Sequence, residues 1–129
     1  MGKIYKTLIF DNRISLAVLD TTDVVNEAIK IHGLSPVCAA ALGRTLTATA
    51  FMASCLKDEN SKLSVTIDGG GLGGKIVTAG NANGNVKGCI YNPQVDAPLK
   101  KNGKLDVSAV VGKNGYITVV KDLDRKSVV

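Results

Sequence analysis

Tryptophan is absent from the 129 residues, and only two Phe and three Tyr are present, so aromatics make up 4% of the chain. A core must therefore be built from Val, Ile, Leu and Ala, and aromatic base-stacking platforms are too few for the usual single-strand nucleic-acid modules. Histidine is represented by His32 alone. The three cysteines, Cys38, Cys55 and Cys89, lie far apart without a C-x-C or C-x-x-C pair. Four-ligand zinc needs clustered thiolates or imidazoles, so no metal site is expected within this chain. Cys38 and Cys55 fall on one expected helix, where seventeen residues of rise separate them by about 25 Å, far beyond disulfide reach. Free thiols in a reducing compartment are the expectation for all three. There is no leader with an apolar stretch and cleavage site at Met1–Tyr5, so a cytoplasmic location is expected. Acids are scattered singly, no G-x-S-x-G elbow occurs, and a Cys–His pair would have to recruit the one histidine. No catalytic residue is assigned, and no enzymatic activity is expected.

What is present is an ordinary globular balance: 45% hydrophobic and 21% charged residues, with sixteen Lys and Arg against eleven Asp and Glu for a net charge of +5. The length suits one domain. The basic excess is diffuse. Lys100, Lys101 and Lys104 form its densest cluster, with Arg125 and Lys126 near the end, and this reads as a solvated face rather than a nucleic-acid footprint.

Along the chain, Ile4–Phe10 and Ile14–Leu19 read as strands of a hairpin turning at Asp11-Asn12-Arg13. Thr21 or Thr22 can cap a helix whose apolar stripe runs through Val24, Ala28 and Ile31 and which ends at Gly33. Ser35-Pro36 starts a second helix, N-cap followed by proline at the first position, and Val37–Leu56 continues it with a single charge, Arg44. Its length suggests a membrane span. Arg44 near its middle, the threonines and the many small residues favour a central helix packed closely on a sheet instead, and no membrane partner is expected.

Beyond the polar stretch 57–62 the period changes to two. Leu63, Val65 and Ile67 alternate with hydroxyl residues, Lys75–Ala79 and Asn85–Ile90 are strands, and Asn83-Gly84 is a hairpin turn between them. Pro98 forbids a long central strand, Lys100–Lys104 is a turn, and Leu105–Val111 is open between helix and strand. Asn114-Gly115 is expected to turn the chain before a last strand, Tyr116–Val120, with a polar stretch over 121–129 that should fray. The fold class expected is α+β.

One motif invites a nucleotide reading. Gly69, Gly71 and Gly74 satisfy G-x-G-x-x-G, and Gly69, Gly74 and Lys75 match most of a P-loop. Both devices need a helix to follow the glycines. Ile76-Val77-Thr78-Ala79 is β-prone, and Ile76 stands where a magnesium-binding Ser or Thr belongs, so a glycine-rich β-turn or bulge is expected and no cofactor is assigned.

An ordered set of segments resembles the N-terminal part of the redox-regulated 33-kilodalton heat-shock chaperone family. The resemblance lies in Leu8-Ile9-Phe10-Asp11-Asn12-Arg13, Asp20-Thr21-Thr22, Ala40-Ala41-Leu42-Gly43-Arg44-Thr45, Asp68–Gly74, Asn83-Gly84-Asn85-Val86, Asn92-Pro93-Gln94-Val95, Gly103-Lys104-Leu105-Asp106-Val107 and Val119-Val120-Lys121-Asp122-Leu123. It implies a mixed, mainly antiparallel β-sheet core with packed helices. It also implies a holdase that keeps unfolding proteins from aggregating under oxidative conditions, without ATP. Family members are more than twice as long, and a C-terminal zinc module with C-x-C and C-x-x-C pairs acts as their redox switch. Those motifs do not occur here, and Cys38, Cys55 and Cys89 do not match them. The expectation is an incomplete chaperone core over 1–123 with a frayed tail over 124–129, no zinc module and no switch. Its expected partners are unfolded client proteins and a possible second copy of itself; its client-binding residues stay unassigned, and no nucleic acid is expected. A different class of function is open beside it: an inert assembly module that pairs with a partner chain and binds no client.

Overall fold

The structure is a computed structural model and describes residues 2–123. Nine elements follow in order: β1 (Lys3–Ile9), β2 (Ile14–Asp20), α1 (Thr22–His32), α2 (Pro36–Ser54), β3 (Lys62–Gly70), β4 (Ile76–Asn81), β5 (Val86–Ile90), α3 (Val107–Val111) and β6 (Gly112–Asp122). The class is α+β, and every strand pairing among the described residues is antiparallel. One sheet is the two-stranded hairpin β1-β2; the other has four strands in the order β5-β4-β3-β6.

The first hairpin turns over four residues. Phe10, Asp11 and Asn12 all adopt left-handed φ values of 53°, 56° and 65°, which takes Phe10 out of the strand expected to contain it. Helix α1 starts at the expected place by another device. Thr21 is the N-cap residue but makes no capping bond through its side chain. The Asp20 carboxylate accepts from the Thr22 amide at 3.1 Å and the Thr22 hydroxyl at 2.7 Å instead. Gly33, at φ 63°, closes α1 with its amide on the Ile29 carbonyl. Ser35 caps α2 by accepting from the Cys38 amide, and its own hydroxyl donates to the Val95 carbonyl at 2.6 Å. That bond ties the start of α2 to the long loop after β5.

Helix α2 is the centre of the core. Val37, Cys38, Leu42 and Leu46 are buried in one cluster with Ile76 and Ile90, and Ala53, nearer the helix C-terminus, is buried in a second with Leu63 and Val65. The register explains why these strand residues share a face: Leu63 lies opposite Gly80, Val65 opposite Thr78 and Ile67 opposite Ile76, and Ile76 lies opposite Ile90. Burying one leucine of this set contributes roughly 2 kcal/mol. Alpha-1 packs on the flank of α2 at Gly43, where an added Cβ would stand 3.0 Å from Val25. Two hydroxyl pairs stitch the layers. Thr49 donates to the Thr45 carbonyl and so accepts from Thr78, 2.6 Å away on β4. By the same logic Thr47, which donates to the Gly43 carbonyl, accepts from Thr21 at 2.7 Å.

One open alternative is decided and two expectations are corrected. The segment 105–111 contains a short helix, α3, capped by Asp106, whose carboxylate accepts from the Ala109 amide. Asn114-Gly115 does not end a strand. It sits inside β6 at a break in register: Asp68 lies opposite Tyr116 while Gly69 and Gly70 both lie opposite Gly112, so residues 113–115 are an insertion in the ladder. Lys121 and Asp122 do not fray but pair with Leu63 and Lys62. Their polar character reflects an edge position rather than a chain end. The expected tail 124–129 lies outside the described residues.

Candidate functional site

The glycine-rich segment serves packing. Gly69 and Gly70 end β3, and the loop then runs against α3. The Leu72 amide donates to the Ala109 carbonyl and the Gly73 amide to the Val110 carbonyl, both at 3.0 Å. An added Cβ on Gly71 would lie 2.3 Å from the Val110 carbonyl oxygen and 2.5 Å from the Gly112 nitrogen. The loop feeds strand β4 rather than the helix a phosphate-binding loop leads into, and these two amides are spent on α3. Lys75 is exposed beside it.

The cysteines are dispersed. Cys38 is fully buried, with its thiol 3.4 Å from the Asn92 carbonyl; Cys55 is the exposed C-cap of α2; Cys89 is half-buried on β5. His32 is in the last turn of α1. No group of three or more His, Cys, Asp or Glu among the described residues could hold a metal ion. Among the described residues the donor set does not fit a zinc site. Lys100, Lys101 and Lys104 are exposed on a tight turn closed by the Lys100 amide on the Lys104 carbonyl, with no aromatic side chain among residues 96–106 for a base to stack on.

What the fold does bring together is exposed apolar surface. On the hairpin, β1 and β2 pair Tyr5 with Val18 and Ile9 with Ile14, and Thr7 with Leu16. Tyr5, Val18, Leu16 and Ile14 of this outer face are all exposed, and Phe10 at the tip is 70% exposed. On β6, Ile117 and Val119 share the core face with Ile67 and Val65 but lie beyond the reach of α2, and they are 70% and 43% exposed. Tyr116 and Val120 are exposed on the opposite face. The third region is the top of α2, away from the sheet. Ala39, Ala40, Gly43, Thr47, Ala48 and Phe51 line a groove of about 480 Å³ that Leu19 and Val25 wall and Arg44 enters. Alpha-2 is long and apolar enough to cross a bilayer, but half of it is buried inside the fold, as in a core helix.

Sequence reasoning left the binding residues unassigned. A signal was available in the parity of the runs. Ile14, Leu16 and Val18 are apolar at even positions while Ala17 and Leu19 are apolar at odd ones, and Val119-Val120 is apolar at consecutive positions. A strand with one wet face does not need apolar residues at both parities.

An antiparallel sheet backed by a central helix, with apolar strands and no assembled acid–base or metal cluster among the described residues, describes a scaffold that presents surface. Comparison with known proteins gives that scaffold its relatives. The sequence profile described as Hsp33 protein matches residues 2–128. The 33 kDa chaperonin of Bacillus pumilus is 46% identical over 98% of this chain, and that of Clostridium tetani is 46% identical over 96%. The crystal structure of the 33 kDa chaperonin (heat shock protein 33 homolog) of Thermotoga maritima superposes with a TM-score of 0.86 at 31% identity, over 96% of this chain. The chain belongs to the Hsp33 family. It spans 43% of the length of the Bacillus relative and 42% of the Thermotoga chain.

Proposed function

We infer that these residues form the core of a holdase chaperone: a binder of unfolded, aggregation-prone protein segments that works without catalysis. The observation that carries this reading is the exposed apolar surface just described, on the hairpin, on β6 and along α2. Contiguous apolar surface on a folded protein marks an interaction site, and burying it against a client gains roughly 25 cal/mol per Å². Family membership supports the same reading, since the relatives carry the name chaperonin. The domain is the chaperone core over 1–123, it acts in the cytoplasm, and its partners are unfolded clients and a second copy of itself. In this reading these 129 residues bind clients by themselves, under reducing conditions and after peroxide alike, since no C-x-C or C-x-x-C pair occurs among them.

The test is light scattering by a thermally aggregating client with and without the 129-residue chain, under reducing conditions and after peroxide. Suppression under both conditions is expected. Suppression only after peroxide removes the switch-independent reading. A folded chain that suppresses nothing under either condition removes the chaperone reading and leaves an assembly module.

A further inference from the structure

We propose that Asn114-Gly115 is a site of self-modification, where the asparagine side chain closes on the next amide and opens to aspartate or isoaspartate, ahead of the two other Asn-Gly pairs of the chain, Asn83-Gly84 and Asn102-Gly103. The step needs only water. The Gly115 nitrogen gives up its proton and bonds to the Asn114 side-chain carbonyl carbon, and the side-chain nitrogen takes up a proton and leaves as ammonia. Water then cleaves one C–N bond of the five-membered imide. Opening on one side gives aspartate. Opening on the other gives isoaspartate, in which the main chain runs through the former side chain. Either product adds one carboxylate, so the net charge falls from +5 to +4. Glycine after the asparagine favours the closure, since it puts no Cβ beside the attacking nitrogen. This chemistry does not depend on the chaperone reading.

The fold separates the three pairs. Gly84 donates its amide to the Asn81 carbonyl at 3.1 Å, and the Asn81 side chain accepts from the Asn83 and Asn85 amides at 3.0 and 3.1 Å. Gly103 donates its amide to the Lys100 carbonyl at 2.8 Å, and the Asn102 side-chain oxygen accepts from the Lys104 amide at 3.0 Å. In both turns the attacking nitrogen is committed, and in the second the carbonyl under attack is held as well. Asn114-Gly115 lies instead in the β6 insertion, where residues 113–115 have no partner on β3. Asn114 is exposed, and its side chain has no hydrogen-bond partner among the described residues. Gly115 is fixed by packing: a Cβ there would overlap the Asp68 carbonyl oxygen and stand 2.9 Å from the Gly69 Cα. Packing therefore demands the residue that makes Asn114 reactive, at the one pair that no tight turn protects. The ladder is already interrupted between Gly112 and Tyr116, so the extra main-chain atom of isoaspartate falls where no pairing is lost.

The test is incubation of the folded 129-residue chain at mildly alkaline pH, followed by digestion under acidic conditions. Peptide mass mapping reads the conversion of each asparagine, and ion exchange reads the added charge. A turn bond that must break before the attack slows it about fivefold, so Asn114 should convert at least that much faster than Asn83 or Asn102. In urea the three rates should converge. Asn81→Ala, which removes the acceptor of two turn amides, should speed Asn83 and leave Asn114 unchanged. Asn114→Gln should remove the main acidic species. Circular dichroism checks that parent and variants are folded. Asn83 or Asn102 converting as fast as Asn114 in the folded parent overturns the proposal. So does a folded Asn114 that stays intact while the unfolded chain converts, or an Asn83 that is no faster in Asn81→Ala.

Discussion

Replacing Gly71 by Ala tests whether the glycine-rich segment is a packing device. The new Cβ would stand 2.3 Å from the Val110 carbonyl oxygen and 2.6 Å from its carbonyl carbon, so backbone must move. Alpha-3 cannot retreat alone, because the Leu72 and Gly73 amides hold the Ala109 and Val110 carbonyls. Moving it loosens two hydrogen bonds worth about 1 kcal/mol each and unseats Val110, which is fully buried, at a further cost of about 1 kcal/mol. The expected destabilisation is about 3 kcal/mol, or roughly 10 °C in melting temperature for a domain of this size. Gly84→Ala is the control. Gly84 lies at φ 89° with nothing within 4 Å of its Cβ, so only backbone strain of about 1 kcal/mol is expected. Urea unfolding followed by far-ultraviolet circular dichroism measures both. The packing argument fails if Gly71→Ala costs no more than Gly84→Ala, or if millimolar ATP raises the midpoint of the parent chain.

Thr49→Val leaves the Thr78 hydroxyl without its acceptor in a site where both residues are buried, and should cost about 2 kcal/mol. Thr49→Val with Thr78→Val should cost less than the single change, and a cycle of urea midpoints reads the coupling. Asp20 carries the acid dependence at the start of α1: the hydrogen bond from the Thr22 hydroxyl, then that from the Thr22 amide, with help from Lys3, holds its carboxyl below the ordinary value of 3.8. Its folded pKa is depressed, so its stabilisation is complete above that ordinary value and disappears as pH falls through the folded one; Asp20→Asn should flatten this segment of the stability–pH curve. Ile117→Lys with Val119→Lys should leave thermal stability nearly unchanged, since both are exposed, while lowering any concentration-dependent association seen by sedimentation velocity.

Elements set by local chemistry were legible in the sequence. Ser35-Pro36 starts α2 within a residue of expectation, Gly33 ends α1, and the turn at Asn83-Gly84 joins β4 to β5. The errors occur where a distant partner decides. Lys121 and Asp122 look like a chain end until β3 pairs with them. Asn114-Gly115 looks like a turn because its residues suit one, yet the ladder on either side makes it an insertion. The segment around Leu105–Val111 could not be assigned because five residues of Val, Ser and Ala suit either state. It becomes α3 because Asp106 caps it and the glycine-rich loop takes its carbonyls. The candidate surface was the least legible part, since exposure depends on which neighbours a strand acquires, and pattern alone does not count neighbours.

The composition of α2 joins these points. A helix apolar on all sides calls for cover on all sides, and here the sheet covers one side, α1 covers a flank, and the two-stranded hairpin covers part of the rest. A two-stranded hairpin is marginal by itself, and this one is held at two points: the Thr21–Thr47 hydroxyl pair at its base, and the Lys6 ammonium on the Ser54 carbonyl. The least supported element of the fold is therefore the one beside the most apolar open groove. Removing one tether with Lys6→Met should therefore speed hydrogen exchange at the β1 and β2 amides while leaving those of β3 to β5, paired in the larger sheet, unchanged. Equal acceleration in both sheets would contradict the argument.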